Sequence, residues 1–435
     1  MTLSARSSGD RRILPRETRG RRQGEAPLAE AGFPPDATHT GSAANRGLRT
    51  YMLSVVALLL LLMGVVIAAN RTLNPYVYGR TGVAVIAEAF VAGQDFAVRD
   101  VNVNIRGLRA EHLARMTSTS DLVILGASHW QEASAALFPD FRYYNAHVHR
   151  DYFEDNLAVV EMLLTDERLP ETVVISVRDM TFSALSARGD NWWRAAAGEY
   201  AAMAGRLEVP VRPWHQRQPY SKWRDQISLS ALRAQLTTAF GAAARPRPTT
   251  APAHASLDIL RRDGLIAWSL DHLRLFTPER TREEAARFLA DRRDQPGSID
   301  PAAVEAFGRL LALLQERGIR VVLVHPPFNP YVYDGAAGTA FASALREVEA
   351  TTRRLAAVHG IEVVGSFNPH VVGCTSDMFI DAEHASEACL GNVARQIIEV
   401  VRRGQGAPAT TRAPEISFDA IRGLDRPASD MPTGG

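Results

Sequence analysis

The sequence predicts an α/β protein. A three-layer α/β/α domain is built on a parallel sheet, one transmembrane helix precedes it, and a large, mostly helical insertion interrupts it. Three observations predict this. From Asp121 onward, short apolar runs alternate with longer stretches of helical periodicity, the pattern of βαβ units. An uncharged apolar run fills 51–69, about the 20 residues that cross a bilayer. The segment 180–300, which holds five of the six tryptophans, separates the third strand candidate from the fourth.

Taken in order, residues 1–50 are rich in Arg, Gly, Pro, Ala and Ser without apolar periodicity, which predicts a disordered tail. Nine arginines (6, 11, 12, 16, 19, 21, 22, 46 and 49) precede the run Tyr51–Ala69. They predict a cytoplasmic tail and place residues 70–435 outside. Cleavage after Ala68 or Ala69 is the alternative, but the run is long for a signal peptide, so a retained anchor is expected. Residues 70–117 read as a helical lead-in with a helix at Val83–Ala92. The α/β domain covers 118–403. Its strand candidates are Leu122–Leu125, Tyr143–Asn145, Thr172–Val177, Val321–His325 and Ile361–Val364. Its helix candidates are His129–Ala136, Phe153–Leu164, Pro301–Arg317, Ala340–Val358 and Ala385–Arg403. Pro301 suits a first helical turn, and Gly318 and Gly360 suit helix C-caps. In the insertion, Trp192, Trp193, Trp214, Trp223 and Trp268 either pack a core, the commoner use, or line a cleft. Gly241–His254 reads as a flexible loop and 404–435 as a disordered tail.

Net charge is +1, and 48 of the 49 basic residues are arginine, Lys222 being the exception. Nothing in this balance points to nucleic acid. No phosphate-cradling glycine loop and no Cys-x-x-Cys occur, so no cofactor is expected.

The chemistry concentrates in two segments. Asp121-Leu-Val-Ile-Leu-Gly-Ala-Ser128 is an apolar strand that breaks at Gly126. Asp381-Ala-Glu-His384 precedes the last helix. In an open parallel sheet, sites form beyond the carboxyl ends of the strands. A serine there can be activated by His384, with Asp381 orienting the imidazole. Each motif alone is weak: Asp36-Ala-Thr-His39 repeats the second by chance. The plain alternative makes Asp381 a helix cap and Ser128 a turn residue. Cys374 and Cys389 flank Asp381 and His384 and read either as a disulfide or as two buried thiols. His147-Val-His149 with Asp151, Glu154 and Asp155 has the makings of a metal site, but a surface histidine pair is commoner, so no metal is expected. Arg178-Asp179 suits an anionic substrate or, more commonly, an internal ion pair.

The order of Gly126-Ala-Ser128 and Asp381-Ala-Glu-His384 resembles the SGNH (GDSL-like) hydrolase superfamily over about 118–403, less the insertion. The resemblance implies a flavodoxin-like sheet and a Ser128–His384–Asp381 triad. It also implies oxyanion donors from the serine amide, a second-block Gly and a third-block Asn. Here the second block, Tyr144-Asn-Ala-His-Val-His149, carries His147 near the usual Gly. The third, Ile175-Ser-Val-Arg-Asp-Met-Thr-Phe182, has no Asn, which leaves Asn145 or backbone amides as substitutes. These departures, with His325-Pro-Pro-Phe-Asn-Pro-Tyr331, resemble the membrane-anchored branches that act in polysaccharide O-acylation and D-alanyl transfer. The implied protein is an acyltransferase or esterase for acyl groups, O-acetyl above all, on cell-envelope or exported polysaccharide. Its implied partners are an acyl donor and a membrane-bound acyltransferase. The implied location is the bacterial inner membrane, single-pass, with the C-terminal domain in the periplasm. The alternative is a non-catalytic scaffold or polysaccharide-binding protein of the same fold.

Overall fold

The computed structural model describes residues 41–73, 80–98, 103–149, 151, 153–165, 169–183, 196–209, 246–295 and 299–405. The tails 1–40 and 406–435, and four of the insertion's tryptophans, lie outside the described residues. The N-terminal element is one helix, Gly41–Leu73. It begins well before the apolar run, so residues 41–50, read as tail, are helical. Its stretch Arg46–Ala69 is long and apolar enough to cross a membrane.

Nine strands occur among the described residues: β1 (Asp95–Val98), β2 (Leu122–Leu125), β3 (Tyr143–Asn145), β4 (Thr172–Ser176), β5 (Arg247–Thr249), β6 (Asp258–Leu260), β7 (Ile266–Ala267), β8 (Arg320–His325) and β9 (Glu362–Gly365). Five of them form a parallel sheet in the order β3-β2-β4-β8-β9. They are the five strands the apolar runs predict, to within a residue or two at their ends. The chain moves from β2 to β3 on one side and returns to β4 on the other, so β2 and β4 border the switch point where such sheets bind ligands.

Side chains alternate across a strand, so both faces of this sheet need cover. Val123, Leu125, Val173, Ile175, Val321 and Leu323 pack with Leu157 and Val160 of helix Phe153–Thr165, Phe307 and Leu311 of Pro301–Glu316, and Leu345 and Leu355 of Ala340–His359. The alternate residues Leu122, Ile124, Val174, Val322, Val324 and Val364 pack with Trp130, Phe138 and the Leu390, Val393 and Ile397 face of helix Glu387–Gln405.

Three further expectations differ from the structure. His129–Ala136, expected as a helix, is two short 3-10 turns, Ser128–Trp130 and Ala135–Leu137. The carbonyls that a helix would use are taken elsewhere. Trp130 O and Ala133 O accept from the Asn145 amide, and Gln131 O accepts from Ile266 N–H. The loop expected at Gly241–His254 contains β5. Pro248 sits there on an outer strand, where a missing N–H is tolerated. The lead-in and the insertion, both read as helical, share a second, antiparallel sheet in the order β5-β1-β6-β7. The turn after β6 meets β3 closely: a Cβ on Gly264 would lie 2.0 Å from Asn145 O, and its φ is +97°, so only glycine fits.

Candidate active site

Gly126 ends β2, and a Cβ there would lie 2.5 Å from Ser176 Cβ on β4. Glycine lets the two strand ends close up, and Ser128 opens the turn just beyond. In that turn Trp130 N–H donates to Ala127 O and Gln131 N–H to Ser128 O. The Ser128 and His129 amides lead the turn and have no acceptor within it.

The second segment is a tight loop closed by the bridge Phe379–Ala385 and by Ile380 N–H donating to His384 O at 2.9 Å. Asp381 Oδ1 accepts the Glu383 and His384 amides, each at 2.9 Å. That leaves Oδ2 for His384 Nδ1 at 2.7 Å, and His384 Nε2 lies 2.8 Å from Ser128 Oγ. The three residues thus form one hydrogen-bonded chain. The loop is also held from outside. Asn329, fully buried, donates from Nδ2 to Asp381 O at 2.9 Å, and Thr281 Oγ donates to Ile380 O at 3.2 Å. Cys374 and Cys389, with Cα atoms 5.3 Å apart, are joined in a disulfide that closes the whole segment.

Burial disfavours the charged imidazole of His384. The Asp381 carboxylate and its hydrogen bond outweigh that, helped by Glu383 and Glu132, and lift the pKa to about 9. Burial also works against the Asp381 carboxylate. His384 and the two loop amides outweigh it and hold Asp381 down at about 2.

The other sequence candidates have different uses. Asn145 does not offer its amide to a substrate. It donates to Trp130 O at 2.6 Å and Ala133 O at 3.2 Å, while its Oδ1 accepts His147 N–H. His147 is buried, and desolvation, then Arg109, hold its pKa well below the usual range. Arg109 spans His147 O and Gly264 O, tying β3 to the second sheet. Arg178 and Asp179 form an ion pair at 3.3 Å, and Arg292 adds a second contact to Asp179 at 2.5 Å. Asp155 pairs with Arg106 at 2.7 Å and Asp151 accepts from Asn156, so these carboxylates already have partners.

Three residues near the triad escape a sequence reading. His129, next to the nucleophile, is fully buried and held neutral at about 4, chiefly by desolvation; its Nε2 lies 3.7 Å from Glu383 Oε2. Burial lifts the Glu132 carboxyl to about 8. Asn329 ends the segment His325-Pro-Pro-Phe-Asn329, and its role needs the fold to be seen. No protein-family model and no curated protein matches the chain.

Proposed function

We propose that this chain is a membrane-anchored acyltransferase or esterase of the SGNH type. In this reading the parallel sheet is the centre of a three-layer, flavodoxin-like domain. It acts on acyl groups, O-acetyl above all, of cell-envelope or exported polysaccharide. One observation carries the reading: the continuous chain Ser128 Oγ–His384 Nε2, His384 Nδ1–Asp381 Oδ2 at the carboxyl end of β2. The helix Arg46–Ala69 would be the anchor, and the arginines before it favour a cytoplasmic tail and an exported domain. An acyl donor and a membrane-bound acyltransferase would be its partners.

The reaction is a ping-pong transfer. Ser128 Oγ attacks the acyl carbonyl carbon while its proton passes to His384 Nε2. The Ser128 amide faces the oxyanion, and the donor's oxygen leaves with the proton from His384. The acceptor hydroxyl then attacks the acyl-serine and gives its proton to His384. The Oγ–acyl bond breaks, and Oγ takes the proton back. Asp381 holds the imidazole in the needed tautomer throughout.

The commitment of Asn145 to the main chain favours the second reading, a non-catalytic polysaccharide-binding scaffold, because it removes a side-chain oxyanion donor. A fluorophosphonate probe separates the two. Labelling of the wild-type protein that is lost in Ser128→Ala is expected, and an unreactive Ser128 defeats the enzyme reading. A reporter fused after Gly404 is expected to work only if it functions in the periplasm. Activity of a cytoplasm-only reporter there refutes the topology.

A further inference from the structure

His129 sits between the nucleophile and the loop that serves it. It follows Ser128 directly, in the same 3-10 turn. Its ring lies beside that of His384, with centres 6.0 Å apart and planes tilted by 42°. The Phe328 ring packs nearly perpendicular to it at 5.9 Å. The imidazole is buried, and neither ring nitrogen has a hydrogen-bond partner among the described residues. Its Nε2 lies 3.7 Å from Glu383 Oε2. Glu383 belongs to the other side of the site. It stands between Asp381 and His384, its amide donates to Asp381 Oδ1, and its side chain is 28 % exposed.

An unmet N–H on a buried imidazole is costly to keep. Burial holds His129 neutral, at about 4, against the pull of Glu383, and Arg178 and His384 add to burial. At neutral pH the ring therefore carries one proton to donate. The Glu383 carboxylate is an acceptor within reach of Nε2. The gap is roughly 0.8 Å longer than an ordinary N–H···O bond, and bonds around a catalytic site are often long until substrate tightens them. We infer that His129 and Glu383 are positioning residues: the Nε2–H of His129 donates to the Glu383 carboxylate and ties the loop of Asp381 and His384 to the turn of Ser128. This inference rests on the acyl-transfer reading above. Asn329 and Thr281 hold the loop at its start, at Asp381 and Ile380. The His129 tie holds it at Glu383, next to the base itself. Through the Glu383 amide it also keeps Asp381 Oδ2 turned to His384. A misplacement of about 1 Å costs on the order of 100-fold in rate, so even a modest loosening of this loop is felt.

The test uses the full chain in detergent and two readouts. One is blank-corrected p-nitrophenyl acetate turnover above the His384 break near pH 9, where removing the Glu383 charge leaves the fraction of free base unchanged. The other needs no turnover: hydrogen exchange, followed by mass spectrometry, at the Glu383 and His384 amides that donate to Asp381. Gln places a side-chain N–H where His129 has Nε2, and Asn places one where His129 has Nδ1. His129→Asn is expected to lower kcat about tenfold with KM little changed and to speed exchange about tenfold, the size of one lost hydrogen bond. His129→Gln is expected to recover most of both losses. Glu383→Met alters a partly exposed side chain and should fold; it is expected to match His129→Asn, with the double variant no worse than either. Equal losses in His129→Gln and His129→Asn overturn the inference. So do wild-type kcat and exchange in Glu383→Met, or a double variant about 100-fold down, which marks two independent effects. The expected exchange pattern in a wild-type protein that turns over no ester keeps the tie and sinks the acyl-transfer reading instead.

Discussion

Replacing Asp381 by Asn is expected to move the pH dependence of acyl transfer as well as its rate. His384 must be neutral to accept the serine proton, and its pKa stands at about 9. At pH 7 roughly one molecule in a hundred then holds the free base. In the wild-type protein kcat/KM should climb about tenfold per pH unit and level off near pH 9. In Asp381→Asn the carboxylate's pull is gone while burial remains, so the break should fall to 6.5 or below. Its plateau should lie about 10^4-fold lower because the amide holds the wrong tautomer. The gap between the two proteins is therefore about 100-fold at pH 7 and about 10^4-fold above pH 9. Stability carries the opposite sign. A folded-state pKa raised from 6.5 to about 9 contributes about 3 kcal/mol, fully present below 6.5 and lost as pH rises through 9. The wild-type Tm should fall across that window more steeply than that of Asp381→Asn. The assay is blank-corrected p-nitrophenyl acetate turnover from pH 5 to 10, with thermal melts in the same buffers. A wild-type break near 6.5, or the same break in both proteins, refutes the reasoning.

Four further outcomes are expected. Ser128→Ala should abolish transfer and phosphonate labelling while changing stability by less than about 0.5 kcal/mol in denaturant melts. The disulfide closes a separation of 15 residues, so Cys374→Ser with Cys389→Ser should cost about 3 kcal/mol; free alkylation of both thiols in the unreduced wild type would show the bond absent. Gly126→Ala drives a Cβ into Ser176, so it should cost about 2–3 kcal/mol in melts and slow labelling of Ser128; an unchanged melt would contradict the close approach. Asn329→Asp keeps the cap on Tyr331 N–H but cannot donate to Asp381 O, so kcat should fall about tenfold with KM little changed; wild-type kcat would release Asn329 from any part in holding the loop.

The parallel sheet was readable because its three central strands carry continuous apolar runs buried on both faces, such as Val173-Val-Ile175. The second sheet was not. Its strands are two to four residues long, one contains Pro248, and β1 finds its partners about 150 residues away, so no local period marks them. Ser128, Asp381 and His384 could be picked out because Asp381 and His384 share one loop and Ser128 ends a strand. The use of Asn145 could not, since it depends on which carbonyls the turns after Ser128 leave unpaired. The same diversion of carbonyls undid the helix expected at His129–Ala136.

Ser128 and His384 are separated by 256 positions along the chain. A polypeptide still leaving the ribosome or crossing a membrane carries its serine long before its histidine exists. Until the final loop lands on the sheet, that hydroxyl has no base beside it and is as inert as any surface serine. The last segment acts as an arming pin, and the bond between Cys374 and Cys389 fastens it in place. On the proposed function, a protease cut in the loop just before Asp381 is expected to loosen the triad while sparing the nine strands among the described residues, since β9 already ends at Gly365.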